Sequence, residues 1–444
     1  MMDVISSIQG VVWGPVMLVL LFGTHVFLTL RTRVIQRYVF KGIKLSVTPD
    51  KEASGDVSGF GALATALAAT IGTGNIVGVA TAIASGGPGA VFWVWLTGCF
   101  GMASKYGEAI LAIKYRVKGK DGGLIGGPMY ALERGLKQKW LGILFALFAG
   151  CACFGIGNGT QGNSISSMVQ DTFGVSPYIT GVVLTILTGI VIIGGVKSIA
   201  RVCEKLVPFM AGFYIIGALV LIIMNIGNLP NVIRMIFVGA FNPEAAIGGF
   251  AGVAVSQAIK YGVARGLFSN EAGMGSTPHA HAVAKVKHPC DQGLVAMMGV
   301  FIDTLIILNL TAFAVMITGQ LNTYNQDLTG TALTQAAFTA GFGKFGAIFI
   351  AICMFFFAFS TIIGWGLYGS RFIAFLCRSD KVVRPFFVVY SFVSILGSTM
   401  DLGLMWSIAD TFNGLMSIPN LVALLLLSGT VAQLTKEYFE KEKV

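Results

Sequence analysis

Residues Phe60 to Gly89, FGALATALAATIGTGNIVGVATAIASGGPG, form an apolar stretch of membrane-spanning length whose middle is unsuited to a continuous helix. Ala/Leu-rich sequence runs to Thr70 and is then interrupted by Ile71-Gly72-Thr73-Gly74-Asn75. Each of the two glycines weakens a helix by about 1 kcal/mol relative to alanine. Thr73 and Asn75 carry side chains that compete for backbone hydrogen bonds. In hydrocarbon a broken backbone survives only inside protein or beside a wet cavity. The break leaves carbonyls at one half-helix end and N–H groups at the other, which suits a cation beside an anionic group. The alternative is a packing seam of small residues, which would not need the adjacent Thr and Asn.

Composition places the whole chain in a membrane. It is 55% hydrophobic and 11% charged over 444 residues, against about 25% charged for a soluble domain. The net charge of +10 could be taken for nucleic-acid binding, but the basic residues lie in short loops between apolar runs. The positive-inside rule explains them, and no nucleic-acid partner is expected. Cys99, Cys151, Cys153 and Cys353 lie within apolar runs and show no metal-type spacing. They read as small buried hydrophobes. The first apolar run, 11–30, is long enough to stay as a helix instead of being cleaved as a leader.

Further runs fall near 60–84, 89–113, 141–168, 178–195, 207–226, 247–277, 292–318, 345–376, 385–398 and 403–431. The expectation is therefore an all-α integral membrane protein with eleven transmembrane helices. Basic residues cluster after the first run (Arg31 to Lys51), between the third and fourth (Lys114 to Lys139) and around Lys197, Lys285 and Arg378, and in the tail. The alternate loops hold only Arg234 and Lys344. Every second loop is basic, which predicts a multi-pass protein of the cell membrane with its N-terminus outside and C-terminus cytoplasmic.

With the first run set aside, ten divide into five plus five. Each five opens on a glycine-interrupted run, at Gly72-Thr73-Gly74 and at Ser269-Asn270-Glu271-Ala272-Gly273-Met274-Gly275. The two start from opposite sides of the membrane, the pattern of an inverted repeat. The predicted organisation is 1–58, an extra helix and basic linker; 59–226, the first repeat; 227–431, the second; and 432–444, a cytoplasmic tail. The polar connection from Leu321 to Gly343 carries a short helical pattern, Ala332 to Ala340, readable as a surface lid or as ordinary loop.

The run Gly86-Gly87-Pro88-Gly89-Ala90-Val91-Phe92-Trp93-Val94-Trp95-Leu96 resembles the signature of the sodium:alanine (alanine or glycine:cation) symporters, with Val94 in the place of its usual Met. So does Gly266 to Ser276, around the second break. The resemblance implies a LeuT-like fold and a secondary active symporter taking up a small neutral amino acid, alanine or glycine, with sodium. No enzyme is expected, since the sequence offers no soluble domain, nucleotide-binding loop or metal-ligand cluster, and no obligatory protein partner is evident. The rival readings are a same-fold carrier of another small solute coupled to protons, and a channel.

The resemblance also places site residues. Thr73, Gly74 and Asn75 are expected near the substrate carboxylate, and the carbonyls of Ala68 and Ile71 beside sodium, which prefers oxygen ligands. Ser360 and Thr361 would add hydroxyls to that ion, Thr361 also reaching the substrate. Adjacent mid-span hydroxyls equally bond back to their own helix. Gln161, in the glycine-rich run 155–163, can donate to a carboxylate or accept from an ammonium. Carbonyls around Asn270, Gly273 and Met274 would accept from the ammonium. Glu271 reads as half of a structural pair with a Lys or Arg, and Lys105 with Glu108 as an i, i+3 pair. Trp365, one turn past Thr361, would cap the pocket. Asp303 and Asp410 remain open between gating, cation binding and charge neutralisation.

The orientation is checked by thiol labelling. A cysteine in place of Asn325 should react with an impermeant reagent added outside, and one in place of Lys137 should not. The reverse pattern overturns the argument from basic loops.

Overall fold

The computed structural model describes residues 2–48, 54–119, 122–241, 255–321, 330–400 and 402–441. Asn325 and residues 247–254 of the seventh expected run lie outside these. Helices dominate, and the strand pair Val117–Lys118 with Leu124–Ile125 is two residues long on each side.

Among the described residues, seven helices are long and apolar enough to cross a bilayer, and the pair Gly59–Thr70 and Gly74–Gly86, bent by 52° at its break, makes an eighth. Three other expected runs are helices that do not meet that standard alone. Ala90–Lys114 carries Lys105, Tyr106 and Glu108 within its apolar sequence, and Pro177–Ile192 and Val255–Asn270 are 16 residues each. Length and apolarity therefore give up to eight spans.

The first broken span begins at Ser58, whose hydroxyl accepts from Gly61 N at 2.9 Å as an N-cap. The α-helix stops at Thr70, Ile71 turns extended (φ −76°, ψ 90°), and the chain resumes with one wider turn, Gly74–Gly78. Asn75 fixes the corner, its Oδ1 accepting from Gly72 N at 2.9 Å. The second break is sharper. After Asn270 the chain passes through positive φ at Glu271 (54°), Gly273 (80°) and Gly275 (83°) before the short helix Pro278–His281. Left-handed geometry is ordinary for the glycines and strained for Glu271.

Two elements exceed the sequence reading. The connection 226–246, expected on the outer side, contains the helix Leu229–Phe241. Its buried Val232, Met235, Ile236, Gly239 and Ala240 repeat at helical spacing, and it packs so tightly that a Cβ on Gly89 would lie 2.1 Å from Gly239 C. The last long helix ends at Leu426, and a separate helix Ser428–Lys441 follows. The short pattern in the polar connection is the helix Thr331–Phe342, tied to the first break by Thr334 Oγ1 donating to Ile76 O at 2.8 Å.

Helix Lys344–Cys377, 34 residues long, is the post between the breaks. It reaches the first through a glycine: a Cβ on Gly364 would lie 2.9 Å from both N and Cβ of Ala69. Overpacking there costs about 1–3 kcal/mol. Gly364→Ala should therefore lower the melting temperature of the purified protein in detergent. Gly23→Ala, where nothing lies within 4 Å, should leave it unchanged or raise it.

Candidate substrate and ion site

Breaking a helix strips its last carbonyls of partners. Ala68 O would ordinarily take Gly72 N, but that N–H goes to Asn75 Oδ1. Ile71 O would take Asn75 N, which bonds Gly72 O instead. Helix Lys344–Cys377 meets these orphans with hydroxyls. Ser360 Oγ lies 3.0 Å from Ala68 O and 3.4 Å from Ile71 O, and Thr361 Oγ1 lies 3.4 Å from Ile71 O. Both also reach Phe357 O, at 2.8 and 3.1 Å, the back-bonding alternative. Two hydroxyls supply two protons to three carbonyls. Five oxygens with so few protons form an electron-rich cluster suited to a hard cation.

Beside it lies a central cavity lined by Gly72, Gly74, Gln161, Glu271, Thr361 and Trp365 among others. Its volume is about 10 Å³, the room of about one water. Gln161 bridges to the first break, Oε1 accepting from Thr73 N at 3.2 Å and Nε2 donating to Ile156 O at 3.0 Å. Thr73 Oγ1 is buried without a partner, so the first break retains one unused hydroxyl. Trp365 is fully buried and Gly157 lies against it, a Cβ there falling 2.6 Å from Trp365 Cβ.

Several expected placements are corrected. Glu271 has no Lys or Arg within ion-pair distance among the described residues. Its Oε1 accepts from Trp365 Nε1 at 3.1 Å and its Oε2 from Ser276 Oγ. Lys105 donates to Thr277 Oγ1 at 2.5 Å, while Glu108 Oε1 takes Gly275 N and Asn420 Nδ2 at 2.9 and 2.7 Å. Helical spacing places Lys105 and Glu108 on one face, but the second break supplies each with nearer partners. Asn270, Gly273 and Met274 do not line the cavity; Phe268 and Glu271 do. The left-handed turns swing the later residues behind it. Asn270 is engaged by Thr304 and Ala272 N. Gly273 O takes Asn420 Nδ2 at 2.8 Å, and a Cβ on Gly273 would meet His25 at 3.1 Å.

The sequence left the role of Asp303 open, and its geometry is specific. Asn75 Nδ2 donates to its Oδ1 at 2.8 Å, and Ser269 Oγ and Thr304 Oγ1 to its Oδ2 at 2.9 and 3.0 Å. One buried carboxylate thus ties the first break to the second. Asn75 commits its side chain here and to Gly72 N, so it holds the corner. Asn158 serves packing, bonded to Tyr390 O and Ser394.

Known proteins bear on this arrangement. The profile of the sodium:alanine symporter family matches residues 1–444. The chain is 48% identical over 450 residues to the sodium/alanine symporter AgcS of Methanococcus maripaludis, covering 99% of this chain and 98% of that one. It is 47% identical over 447 residues to an uncharacterized transporter of Haemophilus influenzae, covering 100% and 97%. Among solved structures, MhsT in complex with L-phenylalanine aligns with a TM-score of 0.59 at 13% identity, covering 86% of this chain and 98% of that chain. At that identity the likeness shows the fold alone, which is LeuT-like. Matched from end to end by the family profile, the chain belongs to the sodium:alanine symporter family.

Proposed function

We propose that the protein takes up a small neutral amino acid, alanine or glycine, coupled to sodium, across the cell membrane with its N-terminus outside. The observation that carries this reading is the cluster of Ala68 O, Ile71 O, Ser360 Oγ and Thr361 Oγ1 against the central cavity. A cation held there sits beside any anionic group entering the cavity, so ion and substrate stabilise each other. That mutual dependence is what coupling requires. The organisation behind it is eleven spans, a leading helix before two inverted five-helix repeats, 59–226 and 227–431.

Within the cavity the substrate carboxylate takes the first break, where Thr73 and Gly74 open the second half-helix and its N–H groups favour negative charge. Gln161 and Thr361 complete that end. Asn75 acts from behind by fixing the corner. The ammonium goes to Glu271, the charged residue that lines the cavity, which Asn270, Gly273 and Met274 do not line; Gly273 O is taken by Asn420. Trp365 closes the side-chain end. Room for one water does not admit an amino acid, so loading requires the lining to part, consistent with rocking of one bundle against the other.

Losing one oxygen ligand costs on the order of 1–3 kcal/mol, and 1.4 kcal/mol is tenfold in affinity. Ser360→Ala and Thr361→Ala should each raise the sodium concentration for half-maximal uptake about tenfold or more, measured in proteoliposomes. An unchanged sodium dependence in both variants removes the ion from this site.

The wall makes a separate prediction about size. Glycine and alanine should displace a bound amino acid well, and leucine and phenylalanine poorly. Trp365→Ala should admit longer side chains, whereas Trp365→Phe, which keeps bulk but loses the bond to Glu271, should weaken binding of every amino acid without that broadening. Wild-type protein that binds leucine as tightly as alanine has no small pocket.

A further inference from the structure

The basic stretch after the first span folds into a helix of its own, Val39–Val47, with faces of different character. Gly42 and Ser46 are buried, and a Cβ on Gly42 would lie 2.7 Å from Leu294 O of helix Pro289–Val300. That face is fixed to the bundle. Phe40, Ile43 and Val47 fall on another face at helical spacing, and they are 83%, 42% and 70% exposed. Lys41 and Lys44 run alongside this apolar strip. An apolar strip flanked by lysines marks a helix that lies in the bilayer interface.

Beside the helix lies a large recess, of about 1610 Å³, whose lining includes Lys41, Lys44, Lys285 and Lys287. The two carboxylates of that lining, Glu204 and Asp291, already have donors. Glu204 Oε1 accepts from Ser58 Oγ at 3.1 Å, and Asp291 takes Tyr438 Oη at 2.6 Å and His288 N at 3.1 Å. The Lys41 ammonium lies 4.3 Å over the Tyr438 ring. Lys44 and Lys285 are exposed and form no ion pair among the described residues. The recess therefore carries an excess of positive charge next to an apolar strip.

We propose that this recess and its helix bind an anionic phospholipid, its phosphate held by Lys44 and Lys285 and its acyl chains laid along Phe40, Ile43 and Val47. A lysine is a compact charge on a flexible stem, which meets a phosphate without demanding a fixed geometry. Each such lysine near a membrane surface adds to the attraction for anionic lipid. The apolar strip decides between sources of phosphate, because a lipid covers it and a soluble phosphate leaves it in water. The argument from basic loops puts the site on the cytoplasmic side, whose leaflet carries the anionic lipids. The recess shares no lining residue with the central cavity. Ser58, Gly59 and Phe60 line it, so a bound lipid touches the opening turn of the first broken span.

Native mass spectrometry of the full-length protein in a neutral detergent tests it, with dioleoylphosphatidylglycerol, dioleoylphosphatidylcholine and glycerol 1-phosphate as probes. Phosphatidylglycerol should bind about tenfold more tightly than phosphatidylcholine, and glycerol 1-phosphate at equal concentration should not displace it. Lys44→Gln with Lys285→Gln should bring phosphatidylglycerol down to the affinity of phosphatidylcholine. Should that pair fail to fold, Lys285→Gln alone decides, by a loss of about threefold. Lys137→Gln with Lys139→Gln removes the same charge from exposed lysines outside the recess and should leave the preference intact. Equal binding of the two lipids, or an unchanged preference in the variant of Lys44 and Lys285, overturns the site. So does an equal loss in the control pair, which means diffuse attraction, or displacement by glycerol 1-phosphate, which means a soluble phosphate ligand.

Discussion

A carbonyl that has lost its helical partner cannot be left in hydrocarbon, and the rest of this fold follows from that constraint. Once Gly72 N turns to Asn75, Ala68 O and Ile71 O need partners that only another helix can bring. Ser360 and Thr361 bring them, which requires helix Lys344–Cys377 to pass close against the break. The glycine at 364, pressed on Ala69, permits that approach. The oxygen cluster that suits sodium is thus the same set of groups that makes a broken helix tolerable in a membrane. On the proposed reading, one arrangement serves stability and ion binding alike.

The second constraint is that the two breaks must be held together across the core. Asp303 supplies this, gathering Asn75 from one break and Ser269 from the other onto one carboxylate. Behind the second break, Glu108 and Asn420 grip Gly273 O and Gly275 N. These polar contacts are buried in a low dielectric, where satisfied networks rigidify and unsatisfied ones are expensive. The breaks are consequently pinned by hydrogen bonds as well as by apolar packing.

Much of this was legible in the sequence, and the misses share a cause. The first break announced itself through Gly72, Gly74 and Asn75, whereas the hydroxyl pair and Trp365 were pointed to by the family resemblance. The helix Leu229–Phe241 showed its apolar period but was too short to be read as a span. The second break misled because composition reports that a chain turns without reporting which way. Left-handed φ at Glu271 and Gly273 carries Gly273 and Met274 behind the cavity that Glu271 lines, while Asn270, still helical, has its side chain taken by Thr304 and Ala272 N. Pairings of Lys105 and Glu108 were missed for a related reason: spacing on a helix reveals neighbours along it and nothing about a loop that packs across it.

The bond from Trp365 Nε1 to Glu271 Oε1 joins the part of the lining that limits bulk to the part that carries charge. Replacing the indole to make room also strips the carboxylate of a donor, so its affinity for a proton or a cation changes with the volume of the cavity. An exchange at 365 therefore alters two properties of the cavity at once: its room and the hydrogen bonding of the Glu271 carboxylate. Divergence in substrate range is easier by paired exchanges, one at 365 and one that re-anchors 271, and the two positions should covary where cargo differs.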